Sequence, residues 1–169
     1  MALRLRPYRL SDEAAALALN EAMLEDHFRF LLWWDETMSW PEYLVMLDHH
    51  RRGVDLKENQ VRSTQLAAVV DGELVGRVSI RFELNEFLSR VGGHVGYGVA
   101  PSHRRKGYAS EILTQALVLL RADGVDRVLV TCDDSNVASA NTIERHGGVL
   151  DSIVPPDGDE EAIRRYWIE

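Results

Sequence analysis

The stretch Gly92-Gly93-His94-Val95-Gly96-Tyr97-Gly98-Val99-Ala100-Pro101-Ser102-His103-Arg104-Arg105-Lys106-Gly107-Tyr108-Ala109-Ser110 decides the reading of this chain. His94 to Ala100 reads as a glycine-rich strand, and a basic turn follows it. From Gly107 to Ala122, apolar residues fall at Tyr108, Ile112, Ala116 and Leu120, beside Ala109, Leu113 and Leu117. That is a wide apolar face at helical period, and Gly124 suits the C-terminal cap. A helix N-terminus offers unpaired N–H groups and a positive dipole end, which suit a phosphate. Arg104, Arg105 and Lys106 add three cations there, Gly107 admits a bulky anion to the backbone, and Ala109 keeps the next turn small. The ATP-type loop G-x-x-x-x-G-K-S/T is absent. The dinucleotide fingerprint fails at its third glycine, where Pro101 stands. A solvated basic turn capped by glycine is the structural alternative.

Downstream, residues 126–132 (DRVLVTC) read as a short buried strand and residues 137–146 as a helix closed by Gly147-Gly148. Val149 to Val154 and Ile163 to Ile168 read as two closing strands around the acidic loop PPDGDEE. Residues 94–132 then form a strand–helix–strand crossover of the right-handed kind. Upstream, LAAVVDGELVGRVSIRF (66–82) carries two strands around Asp71-Gly72, a two-residue hairpin signal, and residues 84–91 interrupt the sheet. Residues 3–9 (LRLRPYR) alternate as a half-buried strand. Ser11, Asp12 and Glu13 look like an N-cap with acids in the first turn of a helix reaching the mid-twenties. A second helix starts near Trp40-Pro41 and ends at Gly53. The order predicts an α/β protein, a mixed sheet with helices packed on it.

The 169 residues are 46% apolar and 27% charged, which suits one globular domain over 1–169. Nineteen basic residues stand against 27 acids, a net charge of −8. That balance disfavours a nucleic-acid partner, since such binding neutralises phosphates. The single cysteine, Cys132, excludes an internal disulfide and a cysteine-based zinc site. Arg4, Arg6 and Arg9 precede the run Ala14 to Leu19, but Asp12, Glu13, Asn20 and Glu21 bound that run short of a secretory signal of roughly 7–15 apolar residues. No stretch approaches the ~18 apolar residues of a membrane span. The expectation is a soluble cytoplasmic protein with no membrane partner.

Arg104-Arg105-Lys106-Gly107-Tyr108-Ala109 matches the Q/R-x-x-G-x-G/A signature and resembles the pyrophosphate loop of the GNAT superfamily of acyl-CoA-dependent N-acetyltransferases. Asn136-x-x-Ser139 with Glu144 and Gly147, after a strand ending in TCDD, resembles that family's later motif N-x-x-S/A…E-x-x-G. The element order from Leu3 to Ile168 is similar to the family fold. Within the superfamily the chain is most similar to the branch of ribosomal-protein and other amino-group acetyltransferases. The resemblance implies a mostly antiparallel twisted sheet of six to seven strands, about four flanking helices and splayed central strands. It implies acetyl-CoA as co-substrate and no metal. The pyrophosphate would sit on the backbone of Arg104, Arg105, Lys106, Gly107, Tyr108 and Ala109. Val99 would bond the pantetheine arm and Asn136 would hold it from the far side. Homodimers are common in the family, so a homodimer is a possible partner state.

The reaction implied is direct attack of an amine on the thioester. It needs a base for the ammonium proton, donors for the developing oxyanion and an acid for the departing sulfur. Many relatives carry a glutamate where this chain has His94, whose ordinary pKa of about 6.5 suits a base. On a strand His94, Gly96 and Gly98 share a face, which predicts room for substrate. A packed histidine is the alternative, and Glu83 is the competing base. The family's usual acid, a tyrosine, is replaced by Ile143, which leaves Ser139, with Tyr97 and Tyr108 as further candidates. Cys132 reads as core packing. Three of the four tryptophans fall at 33, 34 and 40, an aromatic density that lines either a pocket or a core. His49-His50 lacks metal-ligand spacing, because adjacent helical residues diverge by about 100°. The acidic loop could attract a cationic amine or be merely solvated. Two function classes stay open: a transferase acting on an amine-bearing acceptor, and a non-catalytic acyl-CoA-binding module. The acceptor could be a protein amino terminus, an amino acid, a polyamine or an amino-bearing antibiotic.

Overall fold

The structure is a computed structural model and describes residues 2–169. Seven strands form one sheet: β1 (Arg4–Arg6), β2 (Ser63–Val70), β3 (Glu73–Arg81), β4 (Val95–Val99), β5 (Val128–Asp133), β6 (Val149–Val154) and β7 (Ile163–Ile168). Four helices flank it: α1 (Glu13–Leu24), α2 (Trp40–Arg52), α3 (Tyr108–Ala122) and α4 (Val137–Arg145). The sheet order is β1-β2-β3-β4-β5-β7-β6. Every neighbouring pair is antiparallel except β4 and β5, the two strands joined through α3.

Local chemistry explains most boundaries. Asp71 (φ 51°) and Gly72 (φ 83°) both take the left-handed conformation that a tight two-residue hairpin between β2 and β3 requires. Ser39 and Glu42 cap α2 reciprocally: the Glu42 carboxylate accepts from the Ser39 N–H at 2.7 Å and Ser39 Oγ accepts from the Glu42 N–H at 3.4 Å. The expected Ser11 cap of α1 is not what forms. A 3₁₀ turn at Leu10–Asp12 leads into the helix, and Asp12 accepts from the Arg9 N–H at 2.7 Å and from the Arg6 guanidinium at 2.7 and 2.9 Å. A two-pronged guanidinium–carboxylate pair outcompetes a hydroxyl cap.

Each face of the sheet has its own core. α3 and α4 cover one, where Val78, Ile80, Ile112, Leu120, Val130 and Ile143 are buried. The segment from α1 through α2 covers the other, with Met23, Phe30, Trp40, Tyr43 and Leu47 buried. The tryptophan-rich segment therefore divides: Trp40 is core, while Trp33 is 43% exposed. Among the described residues no helix is long and apolar enough to cross a membrane.

Candidate active site

β4 and β5 begin side by side and then part, pairing only at Val95 and Val130. The Ala100 N–H donates to the Val75 carbonyl of β3 at 2.8 Å. Backbone groups alternate in direction along a strand, so those of Val99 and Tyr97 turn towards β5, where the strands have separated. The Val99 carbonyl accepts from Arg104 Nε at 3.2 Å, and the Val99 N–H faces the opened gap.

The turn beyond β4 carries two left-handed residues, Arg105 (φ 63°) and Gly107 (φ 81°). The first hydrogen bond into α3 runs from the Glu111 N–H to the Gly107 carbonyl at 3.2 Å. The N–H groups of Tyr108, Ala109 and Ser110 thus precede the helical ladder and have no helical acceptor. Such a curl of N–H groups is an anion cradle. A Cβ at Gly107 would meet nothing within 4 Å, so the approach is open. Arg105 and Lys106 are exposed beside it. Arg104 differs from the expectation: Nη2 is paired with the Asp26 carboxylate at 2.7 Å, so its side chain braces the turn and only its backbone remains in the cradle. An open gap lined by free strand edges and ending at an anion cradle fits an extended thioester carrier with a pyrophosphate.

Across the gap, Asn136 caps α4, its Oδ1 accepting from the Ser139 N–H at 3.1 Å. That cap fixes Ser139 in the first turn, and its Oγ lies 2.9 Å from the Tyr97 hydroxyl. Burial raises the Tyr97 pKa, with the Ser139 hydrogen bond opposing it. Both residues line a cleft of about 310 Å³ with Cys132, Asp133 and Asn136. Cys132 is buried, and desolvation pushes its thiol up to about 11; it packs in the core as expected. Asp133 was missed in the sequence, where TCDD served only as a landmark. Its pKa is raised by burial first and then by Glu161 and Glu160.

The two expected bases lie elsewhere. His94 is buried at the start of β4, and its Nδ1 accepts from the Leu129 N–H at 2.9 Å. The ring nitrogen that could take a proton is thus already an acceptor, and burial together with Arg81 lowers the His94 pKa. Glu83 follows the end of β3, is exposed, and stands 4.0 Å from Arg62 Nε, lining neither cavity. Ile143 is fully buried in the core.

The room expected over Gly96 and Gly98 is occupied. A Cβ at Gly98 would come within 2.4 Å of Phe28 Cζ. The Phe28 ring stacks on the Arg77 guanidinium, 4.4 Å from the centroid. Arg77 in turn donates to the carbonyls of Arg29, Phe30 and Gly96 at 2.8, 3.1 and 3.1 Å. The open space lies beside this plug, in a second cavity of about 470 Å³ whose walls include Trp33, His50, Phe87 and Leu88. Leu32 and Arg81 line both cavities, so the two adjoin. No group of three or more potential metal ligands gathers among the described residues.

Comparison with known proteins agrees with this geometry. Residues 21–148 match the model of the Acetyltransferase (GNAT) family. No curated protein matches. Among solved structures, the chain is similar to Mycobacterium smegmatis RimJ in complex with CoA-disulfide (TM-score 0.73, 22% identity, covering 98% of this chain and 81% of that one). It is also similar to a GNAT-family acetyltransferase from Bordetella pertussis (TM-score 0.70, 22% identity, 99% and 95% covered). A third is the acetyltransferase yncA of Salmonella typhimurium with its cofactor acetyl-CoA (TM-score 0.66, 18% identity, 100% and 94% covered). At these identities the likeness is one of fold. With more than half of its residues inside the family match, the chain belongs to the acetyltransferase (GNAT) family and is an acetyl-CoA-dependent N-acetyltransferase.

Proposed function

We propose that residues 1–169 act as one domain that moves an acetyl group from acetyl-CoA to an amine by direct attack, with both substrates bound together. Acetyl-CoA supplies the activated acyl thioester. The cradle formed by the backbone of residues 104–109 holds the pyrophosphate, with Arg105 and Lys106 adding positive charge. Val99 bonds the pantetheine arm through its gap-facing backbone, and its N–H meets the developing oxyanion. Asn136, at the N-terminus of α4, flanks the arm from the far side. Asp133 accepts the ammonium proton, and its raised pKa makes it a better base than an ordinary carboxylate. The amine nitrogen bonds the acyl carbon, the carbon–sulfur bond of the resulting tetrahedral adduct then breaks, and the nitrogen gives up its second proton to solvent as the amide forms. Ser139 gives its proton to the sulfur and is reprotonated through Tyr97, which burial keeps in the phenol form.

The observation that carries this reading is the Tyr97–Ser139 hydroxyl pair at the parting of β4 and β5. The test is acetyl-CoA binding by calorimetry, followed by thiol release against a panel of amines. Binding with thiol release is expected. Binding with no release on any amine would leave an acyl-CoA-binding module and overturn the transfer step. Absence of binding would overturn the loop assignment.

A further inference from the structure

Arg81 stands out among the charged groups around the two cavities. It sits at the end of β3 and borders both. Its Nη1 donates to the Gly92 carbonyl at 3.2 Å. No carboxylate pairs with it among the described residues, and burial alone pulls its pKa down to about 10. A desolvated cation without a counter-ion is costly unless a partner arrives. The neighbouring Arg77 differs, because each of its three guanidinium nitrogens donates to a backbone carbonyl. The lining of the larger cavity contains no Asp or Glu. Apart from Arg81 its walls are mainly apolar or neutral, with Leu32, Trp33, Phe87 and Leu88 beside Asn59 and Gln60. A polyamine or a polycationic antibiotic would find no anion there.

We infer that the acceptor is a free amino acid with an apolar or aromatic side chain, whose carboxylate pairs with Arg81. This rests on the acetyltransferase reading above and names its substrate. The geometry suits an α-amino acid because three substituents leave one carbon. The carboxylate meets the Arg81 fork at the junction of the cavities. The amine then points into the cleft that Tyr97, Asp133 and Ser139 line. The side chain fills the cavity of about 470 Å³ between Trp33 and Phe87. Gly96 makes the fork possible, since a Cβ there would stand 3.2 Å from Arg81 Nη1.

The experiment compares phenylalanine, leucine, methionine and tryptophan with their carboxamides as acceptors for the wild-type protein, with spermidine as a cationic control. Thiol release is the readout, and acetyl-CoA binding is measured in the same sample. The acids should exceed their amides by roughly 10- to 100-fold in kcat/KM, the range of a charge-assisted hydrogen-bond pair. In R81Q that preference should collapse towards unity, with acetyl-CoA affinity unchanged. If acetyl-CoA binds but amides match acids, or spermidine is the better acceptor, or the amides or spermidine react where the amino acids do not, the inference is overturned while the acetyltransferase reading stands; binding with no reaction on any acceptor overturns both. Absence of acetyl-CoA binding would overturn that reading itself.

Discussion

The Tyr97 hydroxyl lies 2.9 Å from Ser139 Oγ and joins β4 to the first turn of α4 where β4 and β5 have separated. Two hydroxyls that share one proton path act as a unit. Ser139→Ala and Tyr97→Phe should each lower kcat by about 10- to 100-fold. The double variant should fall little further than the worse single one, because contacting residues are not additive. Calorimetry should find acetyl-CoA affinity nearly unchanged in all three.

Gly107 separates conformation from charge in the anion cradle. Its φ of 81° disfavours any side chain, yet a Cβ there meets open space. Gly107→Ala should therefore cost about 1 kcal/mol of stability by thermal or urea unfolding and weaken acetyl-CoA only modestly. Gly107→Glu should abolish binding through negative charge at the phosphate site.

As the proposed base, Asp133 should set the acid limb of the pH profile. Its pKa is raised by partial desolvation and by Glu161 and Glu160, so kcat/KM should rise with pH through a midpoint higher than that of a free aspartate. Asp133→Asn should remove that limb. The linkage runs the other way for stability: a carboxyl whose folded pKa is raised holds its proton longer folded than unfolded, so its contribution is lost as pH rises through that window. Asp133→Asn should thus be neutral or stabilising at pH 7, as read by the urea midpoint.

His94 is expected to behave as a structural residue. His94→Ala removes the acceptor of the buried Leu129 N–H and should destabilise the fold by about 1–3 kcal/mol. The shape of the pH–rate profile should survive. Because burial lowers the His94 pKa in the folded state, the unfolded chain binds the proton first as pH falls below about 6.5. Wild-type stability should decline through that range on acidification, and urea midpoints should show less decline in H94A.

Much of the fold was legible because its elements announce themselves locally. The spans Val149–Val154 and Ile163–Ile168 were expected and are observed as β6 and β7. Asp71-Gly72 marked its hairpin, and Pro41 and Gly53 bracketed α2. The basic turn with its glycine was legible for the same reason, since a helix N-terminus and a left-handed glycine are short-range features. What escaped was tertiary. That Phe28 fills the space over Gly98 depends on residues 70 positions apart in the chain. That His94 turns inward depends on Leu129, and that Arg104 is occupied depends on Asp26. Strand periodicity assigns a face to a side chain but not the neighbour that meets it, so the sequence points to His94 and Glu83 and gives no sign that Asp133 lines the cleft.

The two sides of the sheet carry different responsibilities. The Tyr97–Ser139 pair and the cradle at the start of α3 belong to the side covered by α3 and α4. Trp33, His50 and Phe87 belong to the opposite side, and Arg81 and Leu32 mark the boundary between the cavities. On the proposed reading, substitutions at 33, 50 or 87 should change the acceptor while acetyl-CoA binding stays intact. Donor binding and acceptor recognition would then vary independently, one wall of the scaffold at a time.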